Sequence, residues 1–165
     1  MCSNINSIYQ RQERVFMKLN GTHKFKASSY QVFQAILNPK VLKECIPGCQ
    51  SIENLNAESI MAYITTPLPG LKGPYSAIIH IAQRQEPSIL VLEVQRQGRG
   101  GSINATSHIN ITDDADGGAL LTYHATADLA GPVSIANNPL GESITKNSLG
   151  AFFKNLDKTL DKAIA

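Results

Sequence analysis

Residues 17–26, MKLNGTHKFK, set Leu19, Gly21, His23 and Phe25 against Lys18, Asn20, Thr22 and Lys24. This period of two predicts a strand with one buried face. At Ser28 the period changes. Ser28 is a good helix N-cap, and Tyr30, Val32, Phe33, Ile36 and Leu37 follow at helical spacing. Asn38-Pro39 ends that helix, because a residue before proline avoids the α region. Pro39 then opens a second short helix with Val41, Leu42 and Cys45 as its apolar positions, stopped at Ile46-Pro47-Gly48.

Beyond Gly48 the chain reads as strands. Residues 49–55 and 58–66 form a pair around Asn56-Ala57. Residues 67–74 carry three prolines and two glycines and predict a loop or a kinked edge. Strands at 75–85, 89–97, 102–112 and 119–129 follow, separated by a Glu86-Pro87-Ser88 turn, a glycine-rich connection at 98–101 and a hairpin turn at 113–118. The segment 131–138 breaks the pattern. Asn138-Pro139 caps a final helix with Leu140, Ile144, Leu149, Phe152, Phe153, Leu156, Leu160 and Ile164 at spacings of three and four. Lys146, Lys154, Lys158, Lys162, Asp157 and Asp161 are expected on its polar side. The order is strand, two short helices, six strands and a long helix. Short connections make the sheet antiparallel. The class is α+β: a curved sheet of about seven strands whose concave face is covered by the last helix.

Composition narrows what such a domain does. The chain has 165 residues, 42% hydrophobic and 17% charged, which excludes disorder and allows a core without staples. The net charge of +2 is scattered, so there is no nucleic-acid footprint. No apolar run is long enough to span a membrane. An odd count of three cysteines (Cys2, Cys45, Cys49) without a secretory leader points to a reduced, cytoplasmic setting. Residues 1–16 read as a tail, and the single domain is expected to run over 17–165. The sequence stops at Ala165, so a built-in C-terminal membrane anchor is not expected.

Candidate chemistry is sparse. His80, His108 and His124 oppose the apolar faces of their strands and are expected in solvent. His23 points inward, as a satisfied core histidine or as a polar anchor in a pocket. Cys45 and Cys49 lack the second pair that a metal site needs, and packing roles suit them better. The glycines at 98–101 join two strands and are not a phosphate loop. Asp113, Asp114 and Asp116 occupy a turn. No catalytic set, metal site or cofactor is expected. What remains is size: Gly21, Ala77, Ala105, Ala125 and Ala127 are small on inward faces. The volume they leave is either a ligand cavity or space filled by Tyr75, Tyr123, Phe152 and Phe153.

The segment MKLNGTHKF, the helix ending in Leu37-Asn38-Pro39, and the run from Val41 to Cys49 with its Cys-Ile-Pro-Gly-Cys ending resemble the CoxG family, accessory proteins of carbon monoxide dehydrogenase. Lys72-Gly73 before Tyr75 and Gly117-Gly118 before Leu121-Thr122-Tyr123 fit it as well. The likeness runs from Met17 to about Ala163. It implies the helix-grip fold of the START/Bet v 1-like superfamily and a non-catalytic accessory to a molybdenum hydroxylase of the carbon monoxide dehydrogenase type. The segment 131–139 departs from the family's smoother approach to the last helix. The implied ligand is hydrophobic, a lipid or quinone-like molecule. Its expected wall is Phe33, Ile79, Ile81, Ile109, Tyr123, Phe152 and Phe153, and His23 and Tyr123 would hydrogen-bond a ligand carbonyl. The expected partners are this guest, molybdenum hydroxylase subunits and, peripherally, the inner face of a membrane. The alternatives are an assembly or membrane-recruitment partner working through its surface, or an enzyme akin to the superfamily's cyclases and hydrolases.

Overall fold

The computed structural model describes residues 14–65, 74–137 and 139–164. Residues 1–13 of the expected tail, most of the proline-rich loop and the cap at Asn138 lie outside them, as do the side chains of Leu140 and Ile164. Seven strands form one antiparallel sheet: β1 (Arg14–Phe25), β2 (Cys49–Asn56), β3 (Ser59–Ile64), β4 (Tyr75–Gln85), β5 (Ile89–Arg96), β6 (Ser102–Asp113) and β7 (Ala119–Ala130). Their order is β1-β7-β6-β5-β4-β3-β2. Helices α1 (Ser29–Ile36) and α2 (Pro39–Cys45) bridge the two edge strands, and α3 (Pro139–Ile164) is the long final helix.

The local signals explain these elements. Ser28 caps α1 through a capping box: its Oγ accepts from the Gln31 N–H at 3.3 Å, and Gln31 Oε1 accepts from the Ser28 N–H at 3.0 Å. Asn38 caps α2 by accepting from the Lys40 N–H at 3.0 Å, with Pro39 at the first helical position. Gly101 meets Ala130 so closely that a Cβ would lie 1.9 Å from the Ala130 carbonyl oxygen, so only glycine fits.

Three readings from the pattern need correction. β1 starts at Arg14, not Met17, because Arg14, Val15 and Phe16 pair with Ala130, Leu129 and Asp128. The breaker segment contains a 3-10 helix, Pro132–Asn137, which buries Val133. Tyr30 is 59% exposed; α1 buries Val32, Phe33, Ala35 and Ile36 instead.

The sheet's interior is divided. One apolar cluster joins Phe25, α1, Leu90, Ile111 and Leu121 to Phe153, Leu156 and Leu160 of α3. A smaller one at the other end gathers Met17, Leu129 and Val133 with Tyr75 and Ile103. The second half of α3 belongs to the large cluster, whereas Ile144 in its first half is 38% exposed.

Leu156 has no solvent exposure, so Leu156→Ala should cost about 2–5 kcal/mol, and Ile144→Ala should stay within about 0.5 kcal/mol. Urea unfolding of both variants checks this. Equal losses would show that α3 is held evenly along its length.

Candidate functional site

Between the two clusters lies a hollow of about 640 Å³. Strand register builds its floor. Leu19, Ala125, Ser107, Leu92 and Ile81 stand in one cross-strand row, and Met17, Ala127, Ala105, Val94 and Ile79 in the next, whose Met17 and Ala127 end packs into the smaller cluster beyond the hollow. Side chains on one face of a strand are two residues apart, so the four small ones on β6 and β7 form a contiguous patch. Thr145, Leu149 and Phe152 of α3 close the space from above. The rim is made by Leu37, Pro39, Leu42 and Ile46 around α2, and by Asn54, Asn56, Ala57 and Glu58 at the tip of the β2–β3 hairpin. Those hairpin residues are exposed and mark the mouth. Glu58 is the one charged residue bordering the hollow among the described residues.

Of the eight residues expected at a ligand, Ile79, Ile81, Ile109, Tyr123, Phe152 and Phe153 border the hollow. Phe33 does not: it is 1% exposed inside the large cluster, because α1 turns it toward the closed end of the sheet. His23 does not border the hollow either. Its ring stacks on Phe153 with centroids 5.0 Å apart and planes 12° apart, and meets the edge of Phe25 at 4.7 Å. Its Nε2 and Asp157 Oδ2 are 2.8 Å apart. His23 is thus a satisfied histidine that ties β1 to α3. Asp157, expected on the polar side of α3, is its partner. The sequence signal for this tie is the inward-pointing His23 itself, since a polar ring on a buried face requires a partner.

The small inward residues divide as well. Ala105 and Ala125 border the hollow. The space over Gly21 is occupied: a Cβ there would lie 2.5 Å from Tyr123 Oη. Glycine lets the Tyr123 ring lie against β1. Tyr75 packs in the smaller cluster, while Tyr123, Phe152 and Phe153 occupy one end of the interior without filling it.

None of the remaining polar candidates borders the hollow. His108 and His124 are exposed, and His124 Nδ1 bonds Asn20 Oδ1 at 2.9 Å. His80 is half-buried, not solvated, and its Nδ1 is 2.7 Å from Ser59 Oγ. Hydrogen bonds from the Ser29 side chain and, at 3.2 Å, from the Ser29 N–H hold the Asp113 carboxyl below the usual range and tie α1 to the β6–β7 turn. Lys24 pairs with Asp116 and, at 3.2 Å, with Asp114. Cys45 and Cys49 are free thiols, both pushed up by burial. The Cys45 carbonyl accepts from Asn155 Nδ2 at 3.0 Å, and its Sγ lies 3.7 Å from Thr159 Oγ1. Among the described residues no group of three or more His, Cys, Asp or Glu is placed to hold a metal ion. No helix among them is long and apolar enough to cross a membrane.

A curved antiparallel sheet closed by one long helix over an apolar hollow defines a helix-grip protein of Bet v 1-like fold. The family of carbon monoxide dehydrogenase CoxG proteins matches residues 21–161, and the chain belongs to that family. No curated protein matches the chain. A solved structure of a conserved protein from Geobacillus kaustophilus is similar at TM-score 0.83 and 28% identity, covering 89% of this chain and 97% of that one. A protein from Mycobacterium smegmatis gives TM-score 0.65 and 18% identity over 88% and 92% of the two chains. Truncated norcoclaurine synthase from Thalictrum flavum gives 0.63 and 13% over 90% and 95%. At these identities, the last two likenesses concern the fold.

The His23–Asp157 bond is half-buried, with side chains 26% and 34% exposed. A double-mutant cycle of His23→Ala and Asp157→Ala should give a coupling of about 0.5–1.5 kcal/mol by chemical denaturation. A coupling near zero would mean that stacking on Phe153 alone holds the ring.

Proposed function

We propose that this protein is a non-catalytic carrier that holds a hydrophobic small molecule, lipid or quinone-like, in the hollow between sheet and helix. It serves a molybdenum hydroxylase of the carbon monoxide dehydrogenase type, working in the cytoplasm and meeting the membrane only peripherally. The observation that carries the reading is the hollow itself: about 640 Å³, within the range of about 300–1,000 Å³ typical of ligand pockets, and walled by aliphatic and aromatic side chains.

The energetics support a guest. The hollow is open at its mouth, so without a guest its aliphatic and aromatic wall stands in contact with water. Water suits such a wall poorly, because it needs two to four polar partners and the polar side chains Ser59, Ser107, Tyr123 and Thr145 are few beside the apolar ones. An apolar guest gains roughly 2.5 kcal/mol for each 100 Å² it buries. The absence of a cation among the described lining residues favours a neutral molecule. Family membership supports the accessory role beside carbon monoxide dehydrogenase.

Extraction and mass spectrometry of purified protein should find a stoichiometric apolar molecule, or a fluorescent apolar probe should bind with micromolar affinity. Ala125→Phe, which fills the floor, should weaken the probe at least tenfold while pull-down of the hydroxylase subunits persists. Probe binding unchanged by Ala125→Phe would sink the cavity reading. Loss of the pull-down with the probe would make the surface and the cavity one function.

A further inference from the structure

We propose that Ser107 and Tyr123 set the specificity of the hollow: their hydroxyls select an apolar guest that carries an uncharged hydrogen-bond acceptor, a carbonyl or ether oxygen, and hold that oxygen at the floor. The proposal rests on the carrier reading and adds to it what the guest must contain.

The polar side chains around the hollow divide by their partners. Ser59 Oγ lies 2.7 Å from His80 Nδ1. The Thr145 hydroxyl donates to the Gly141 carbonyl at 2.9 Å. Asn56 Oδ1 accepts from the Glu58 N–H at 2.9 Å. Asn54 and Glu58 are exposed at the mouth. Ser107 and Tyr123 remain. Among the described residues no hydrogen bond engages either hydroxyl. Neither oxygen is sealed inside protein, since among the described residues no buried side-chain nitrogen or oxygen lacks a partner. Both residues are half-buried on the inner face, so their hydroxyls open onto the hollow.

Register fixes where they stand. Ser107 is opposite Ala125, and Tyr123 precedes Ala125 by two positions on the same face of β7. The two hydroxyls thus flank the small floor. Tyr123 is itself opposite Gly21, whose missing side chain lets the ring lie over β1. Phe153 of α3 holds the ring from above, with centroids 5.6 Å apart. A guest that covers these hydroxyls takes them out of water. Without an acceptor it leaves each donor unpaired, which corresponds to a loss of about tenfold in affinity. A phenol delocalises its lone pairs into the ring and donates better than it accepts, so the group it calls for is an acceptor. No cation borders the hollow among the described residues, so a carboxylate at the floor would be buried without a counter-charge. An uncharged oxygen meets both conditions. A site built to hydrogen-bond such a group discriminates strongly against an analogue that lacks it.

The test uses the full chain and two probes of nearly equal shape, the hydrocarbon fluorene and its ketone fluorenone. Ser107→Ala and Tyr123→Phe each remove one oxygen and keep the apolar frame. The double variant should raise the Kd for fluorenone by about tenfold or more relative to the Kd for fluorene. In the unsubstituted protein the carbonyl stretch of bound fluorenone should lie at lower wavenumber than in hexane. In the double variant it should return toward the hexane position. Equal weakening of both probes overturns the proposal, because the two residues then act through shape alone. Unchanged affinity for both probes, or a carbonyl band at the hexane position in the unsubstituted protein, overturns the proposal and leaves the carrier reading standing. Binding of neither probe to the unsubstituted protein overturns both.

Discussion

Four small side chains, Ala105, Ser107, Ala125 and Ala127, constrain the rest of the interior. Antiparallel register brings them together on β6 and β7, under the first half of α3. A helix and a sheet pack solidly only when large side chains fill the distance between them. Elsewhere in this molecule they do: Phe25, Phe33, Leu121, Phe153 and Leu156 make a continuous core at one end, and Met17, Leu129 and Val133 close the other. Over Ala105, Ser107 and Ala125 the space stays open, whereas Ala127 packs into the smaller cluster. The hollow is the gap between two well-packed cores, and the fold tolerates it because those cores carry the stability.

The polar ties reinforce that division. His23–Asp157, Asn155–Cys45 and the Asp113 bond to α1 all belong to the closed end. They fasten the edge strand β1, the two short helices and the second half of α3 into one block. The rim at α2 and the β2–β3 hairpin contributes apolar contacts and exposed amides. The polar ties are thus concentrated at one end of the sheet, and the capacity lies beside them, between the two clusters. Substitutions that damage one end need not damage the other.

Much of this is legible in the sequence, and the reasons differ by residue. Alternation reveals the strands, since one buried face imposes a period of two. Ser28 and Asn38-Pro39 announce the short helices because capping chemistry is local. The small inward residues signal unfilled volume, but composition does not say which of them are neighbours. Register puts Ala105 and Ala125 at the hollow and the Tyr123 ring over Gly21. Helical periodicity groups Asp157 with the solvent-facing lysines, because its partner lies 134 positions away and no local pattern encodes that pairing. Phe33 reads as part of the wall for a similar reason: its burial is evident, but not which end of the sheet α1 covers. The hairpin tip at Asn54–Glu58 gives no sign of being a rim, because polar turn residues look alike wherever they lead.

The central claim is that a guest occupies the space over the small patch. Nuclear Overhauser contacts between an apolar ligand and the protein's methyl groups test it most directly. The expected contacts are with Ala105, Ala125, Ile79 and Ile109, all bordering the hollow. Contacts confined to Met61 and Ile78 on the sheet's outer face, or none at saturating ligand, would contradict it.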